Sequence, residues 1–93
     1  MTTLHVLLIE NAPNALDPLI GALTEDGHVV ELARSGEAAL QLLSDGLRPS
    51  FFVVDRDLGP GMTGVEFLRR CSLDPELEGI PSVLAPSRPR PTA

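Results

Sequence analysis

Residues 51–70 read FFVVDRDLGPGMTGVEFLRR, and three kinds of sequence follow one another in that short span. Phe51 to Val54 is an unbroken apolar run rich in β-branched and aromatic side chains, the composition of a strand covered on both faces. It stops abruptly at Asp55-Arg56-Asp57. Gly59, Gly61 and Gly64 then mark a loop that needs positive φ or close backbone approach, a geometric demand rather than a phosphate cradle. From about Gly64 to Leu73 the spacing predicts a helix with Val65, Leu68 and Cys71 on one side and Phe67 beside them, stopping before Asp74-Pro75.

The same alternation extends outward on both sides. Leu4 to Ile9, Val29 to Ala33 and Ser82 to Ala85 are further strand candidates, and the first is as continuously apolar as Phe51 to Val54. These two runs should be the central strands. Leu16, Leu19, Ile20 and Leu23 recur at helical spacing, with Asn14 as N-cap, Pro18 in the first turn and Gly27 as the stop. A second helix opens on Ser35, carries Ala38, Ala39, Leu42 and Leu43, and ends at Gly46. Strand, helix, strand, helix, strand, helix, strand in this order calls for an α/β fold with a parallel sheet and right-handed crossovers. No internal repeat is present. The closing PSRPRPTA suits neither a regular helix nor a central strand and reads as a linker or tail.

Composition narrows the function. The chain has 93 residues, enough for one domain, with 43% hydrophobic and 22% charged residues, close to globular averages. Thirteen acidic against seven basic residues give a net charge of -6, which argues against a surface for nucleic acid or anionic lipid. All seven basic residues are arginines, so the chain contains no lysine. The single cysteine, Cys71, can form no internal disulfide and is expected to pack in the core. There is no basic signal-peptide start, and no apolar run approaches the ~20 residues of a membrane span, so a cytoplasmic protein is expected. His5 and His28 have no partners at ligand spacing and read as packing or surface residues.

In open α/β sheets, ligands bind at the carboxyl ends of the strands. Here those ends carry Glu10-Asn11 after the first strand and Asp55-Arg56-Asp57 after the third, and two adjacent central strands would bring Glu10, Asn11 and Asp55 to one patch. One or two carboxylates with water in the remaining positions is what Mg²⁺ asks for. An aspartate beside such an ion is a competent nucleophile for an aspartyl-phosphate.

With LHVLLIEN, FFVVDRDLGPGMTGVEFLRR and Ile80-Pro81 before a short apolar strand, the chain resembles the receiver domains of two-component response regulators. Leu58, Met62 and Gly64 fit the loop pattern of that family, and Gly59-Pro60-Gly61 matches a variant one residue longer than the commonest form. The resemblance spans about residues 4 to 86. It implies a flavodoxin-like, CheY-like sheet in the order 2-1-3-4 with helices on both faces, over a receiver-like domain of residues 1–86 followed by a tail, 87–93. It further implies that Asp55 is the phosphoacceptor and that Glu10 and Asn11 hold Mg²⁺ with Asp55 and the backbone carbonyl of Asp57. The donor would be a histidine kinase or a histidine phosphotransfer protein, with no enzyme activity in the chain's own right.

The chain also departs from the family. Asn11 stands where the family usually has an acidic residue, and a neutral amide should lower Mg²⁺ affinity. Pro86 falls at the position of the phosphoryl-contacting hydroxyl, with Ser87 one residue late, and the family's lysine has no counterpart. A degenerate pseudo-receiver acting as a phosphorylation-independent interaction module is therefore the alternative. A nucleotide-binding enzyme is disfavoured because ENAPNA, not a glycine-rich turn, follows the first strand. The family's last helix, strand and helix find no match, so part of the face of the first and third strands is expected to lie uncovered and the fourth strand to form an open edge. A homodimer through that face or that edge, or a partner that covers it, is the expected response.

Overall fold

The computed structural model describes residues 2–11 and 16–85. Within them the order is β1 (His5–Ile9), α1 (Asp17–Glu25), β2 (Val29–Ala33), α2 (Gly36–Ser44), β3 (Phe51–Asp55), α3 (Gly64–Ser72) and β4 (Ser82–Ala85). The strands form one parallel sheet in the order β2-β1-β3-β4, as expected, with Val6 opposite Phe51 and Ile9 opposite Val54 across its centre. Continuous apolar runs form the inner strands because both of their faces are covered. After the first residue, every position of β1 and β3 is buried, whereas most of β2, at the edge, is exposed.

Alternation along the strands divides the core into two layers. On one face Leu7, Ile9, Phe52 and Val54 meet Ala39 and Leu43 of α2, Phe67 and Cys71 of α3, and Leu77. Phe52 and Phe67 pack edge to face there, with ring centroids 5.4 Å apart and planes at 85°, a favourable arrangement for ring quadrupoles. On the other face Val6, Leu8 and Val53 pack against Leu16 and against Ile20 and Leu23 of α1. Helices thus cover both faces.

The helix boundaries follow local chemistry. The Ser35 hydroxyl accepts the Ala38 amide at 3.0 Å, which caps α2 as expected, and Gly27 and Gly46 end α1 and α2 at φ of 85° and 109°. The N-cap position of α1 is Leu16, with no side-chain cap, and Asn14 lies outside the described residues. At α3 the Thr63 hydroxyl accepts the Glu66 amide at 3.0 Å, a cap that the sequence reading passed over.

Three expectations need correction. Val65 does not join the buried side of α3: it is 53% exposed, and Phe67, fully buried, holds the centre of that face. Leu19 lies on the exposed side of α1, while Ile20 and Leu23 reach the core. The face of β1 and β3 is not left open, because α1 covers it and Val6, Leu8 and Val53 are all buried. What remains exposed on that face is at its margins, Leu32 on β2 and Val83 on β4. Cys71 packs in the core as expected, and burial, with a smaller contribution from the Asp74 charge, raises its thiol to about 11. The 86–93 tail, with Pro86 and Ser87, lies outside the described residues.

Candidate functional site

The site is assembled at the carboxyl ends of β1 and β3. Ile9 pairs with Val54, so continuing the register by one residue sets Glu10 beside Asp55. The Glu10 amide donates to the Ala33 carbonyl at 3.0 Å, which keeps the chain in sheet geometry just past the end of β1. Glu10 is 2% and Asp55 9% exposed, making them the two buried acidic residues among those described. The sequence-predicted pair is therefore brought together, in the burial that makes a carboxylate pair chemically demanding.

The loop after β3 is shaped around the Asp55 carboxylate. The Asp57 amide donates to Asp55 Oδ1 at 3.0 Å, and the Gly59 amide donates to Asp57 Oδ1 at 3.1 Å, so two side-chain turns follow each other along the loop. The first bond fixes the orientation of the Asp55 carboxylate. Asp57 is exposed, and its carbonyl belongs to the same turn. Gly59 and Gly61 take φ of 75° and 96°, and Gly64 is needed for close approach, since a side chain there would collide with the Asp55 carbonyl oxygen.

Neighbouring elements use the space these glycines leave. The Asn11 amide nitrogen would be 2.8 Å from a Cβ on Gly59, so Asn11 reaches the loop from the end of β1. Glu37, in the first turn of α2, places Oε2 2.8 Å from where a Gly61 Cβ would be, and Met62 Sδ lies 2.8 Å from where a Gly36 Cβ would be. Glu37 was not foreseen. A pairing between an exposed helix residue and a distant loop glycine leaves no periodic trace in sequence. Arg56, given no role from sequence, is exposed, and its amide bonds the Ala85 carbonyl at 3.2 Å, tying the loop to β4.

The available donors are the Glu10 and Asp55 carboxylates, the Asn11 amide oxygen and the Asp57 carbonyl. All are hard oxygen donors, the chemistry that suits Mg²⁺ rather than a softer metal. No group of three or more His, Cys, Asp or Glu side chains that could hold a metal gathers among the described residues, so a cation here would draw on two carboxylates and need neutral oxygens for its remaining positions.

A parallel sheet in this order, with buried acidic residues at the ends of its two inner strands, defines a receiver-type α/β domain. No family model and no curated protein matches the sequence. Solved structures do. The N-terminal domain of a response regulator/sensory box/GGDEF protein from Carboxydothermus hydrogenoformans is 27% identical over 96% of this chain and 69% of its own, with a TM-score of 0.81. The N-terminal domain of a response regulator receiver protein from Methanoculleus marisnigri is 27% identical over 96% and 71%, TM-score 0.82. The signal receiver domain of a histidine kinase from Syntrophus aciditrophicus is 30% identical over 96% and 66%, TM-score 0.83. The chain belongs with these CheY-like receiver domains of response regulators, and spans between 57 and 73% of the length of the solved chains it matches.

Proposed function

We propose that Asp55 accepts a phosphoryl group from a phosphohistidine on a histidine kinase or histidine phosphotransfer protein. The observation that carries this reading is the pair of buried carboxylates, Glu10 and Asp55, on adjacent ends of β1 and β3. In the transfer, the Asp55 oxygen not held by the Asp57 amide bonds to phosphorus as the bond from phosphorus to the donor imidazole breaks, and the imidazole leaves with the electron pair. Glu10, Asn11, Asp55 and the Asp57 carbonyl would hold Mg²⁺, which offsets phosphoryl charge when bound. The Asp57 amide keeps Asp55 Oδ1 oriented throughout.

The function is signalling in a phosphorelay, and the partner is the protein that carries the phosphohistidine. With a net charge of -6, direct contact with nucleic acid has no electrostatic support. No helix among the described residues is long and apolar enough to cross a membrane, and the proposed setting is the cytoplasm, where such donors present their histidines.

The second reading, an interaction module that works without phosphorylation, is favoured by one specific feature: Asn11 stands beside Glu10 where the family usually has an acidic residue, which replaces a charged Mg²⁺ ligand with a neutral one. Incubation with a small phosphoryl donor and Mg²⁺, followed by intact-mass and peptide mass spectrometry, separates the two. A phosphoryl increment on Asp55, lost in Asp55→Asn, supports the first reading. No increment, together with no response to beryllofluoride, favours the second.

A further inference from the structure

The loop between β3 and α3 is anchored at two points and exposed between them. Leu58 and Met62 are buried in the layer that also contains Ala39 and Leu43 of α2, whereas Gly59, Pro60 and Gly61 are exposed. Gly59 and Gly61 take positive φ, and the ring of Pro60 between them fixes its own φ, so the turn has few internal ways to yield. Its shape matters to the site, because the Gly59 amide donates to Asp57 Oδ1 and the Asp57 amide donates to Asp55 Oδ1.

The first turn of α2 meets this loop at two successive residues. Gly36, the buried first residue of the helix, faces Met62: a Cβ there would lie 2.8, 3.2 and 3.3 Å from the methionine Sδ, Cγ and Cβ. The next residue, Glu37, faces the preceding loop residue, and the atoms nearest to a Gly61 Cβ all belong to its carboxylate. Two neighbours on the helix thus match two neighbours on the loop in reverse order. Alanine is the better helix former at position 36, yet its Cβ would displace Met62, so Gly36→Ala sets local propensity against the placement of the loop.

We propose that Gly36 and Glu37 are positioning residues for the Asp55 site: the start of α2 is a seat that sets the Gly59-Pro60-Gly61 turn and, through Asp57, the orientation of the Asp55 carboxylate. Gly36 acts through Met62, and Glu37 acts through Gly61. From Gly61 the path to the carboxylate is short: the Pro60 ring, the Gly59 amide on Asp57 Oδ1, and the Asp57 amide on Asp55 Oδ1. The inference deepens the phosphoacceptor reading and rests on it for the role of Asp55, while the placement of the loop is measurable without any phosphoryl group or cation.

Solvent exchange of individual amides in the metal-free chain, followed by NMR, tests it, with Mg²⁺ affinity by calorimetry as a second reading. Glu37→Ala is expected to speed exchange at Asp57 and Gly59 several-fold, to leave the amides of β1 and β3 as they are, and to lower Mg²⁺ affinity several-fold. Glu37→Gln, which keeps length and shape, is expected to restore both. Gly36→Ala is expected to act at the same two amides. Exchange at Asp57 and Gly59 that is unchanged in Glu37→Ala overturns the proposal. So does a Glu37→Gln variant that matches Glu37→Ala in both readings, the mark of a charge effect, or a rise spread evenly over the sheet, the mark of lost stability. A wild-type chain that binds no Mg²⁺ while the two amides respond as expected upholds the seat and contradicts the cation reading of Asp55.

Discussion

Gly64, the first residue of α3, lies so close to the carbonyl oxygen of Asp55 that no side chain fits between them, and Val54 Cγ1 stands 3.0 Å from where a Gly64 Cβ would be. The start of α3 is therefore pressed directly onto the end of β3, with backbone on one side that cannot rotate away. Gly64→Ala should cost about 1–3 kcal/mol of stability, the usual range for overpacking. Urea denaturation reads this as a lower midpoint, and an unchanged midpoint contradicts the packing described.

Phe67 carries more of the core than its helix neighbours. Phe67→Ala removes a fully buried ring and its contact with Phe52, at an expected cost of about 3–5 kcal/mol. Against a total of about 5–15 kcal/mol this brings the domain near unfolding at room temperature. Val65→Ala, two residues away and largely exposed, should change stability by less than about 0.5 kcal/mol. Equal effects from the two substitutions contradict the placement of the α3 face.

That contrast shows how much was legible from sequence. The strands of the sheet, the central place of two of them and the convergence of Glu10 with Asp55 follow from apolar runs and strand-end acids, because these patterns are set by burial over several residues, while the full strand order came from the resemblance to receiver domains. Gly59, Gly61 and Gly64 were likewise legible as loop glycines. The rotation of α3 was not: Val65 and Phe67 differ by about 200° around a helix of 3.6 residues per turn, and with apolar residues on both sides the ring decides by size which face turns inward. Helices on both faces were expected, but not how fully α1 would cover β1 and β3, because the apolar stripe of Ile20 and Leu23 does not by itself state which strands it reaches. Glu37 beside Gly61 is a meeting of distant residues with no local signature.

Cys71 should behave as a buried hydrophobe rather than a reactive thiol. Its acidity is shifted from 9.0 up to about 11, chiefly by burial, so almost no thiolate exists in the native state at pH 8. Labelling by a thiol reagent should be slow until denaturant is added. The sign of the linkage is fixed by the raised native value: the contribution to stability is fully present below pH 9 and is lost as pH climbs from 9 to 11. A Cys71→Ala variant should show a smaller alkaline loss over that range, and rapid native-state labelling at pH 8 contradicts the burial.

Asn11→Asp replaces a neutral ligand by a charged one of nearly the same shape. Mg²⁺ affinity should rise by at least about tenfold, well within the ~4 kcal/mol that Coulomb's law gives for unit charges 4 Å apart at an effective dielectric of ~20. Isothermal titration calorimetry reads the change. Affinity that stays level or falls indicates that position 11 serves the Gly59 contact and not the ion.

The central claim is that the ends of β1 and β3 form one oxygen-lined cation site around Asp55, and paramagnetic broadening by Mn²⁺ in amide-resolved NMR tests it most directly. The account predicts that substoichiometric Mn²⁺ selectively broadens residues 10–11 and 55–59, that Mg²⁺ reverses the effect, and that Asp55→Asn weakens it. Broadening centred on another part of the fold, or none at millimolar Mn²⁺, contradicts it.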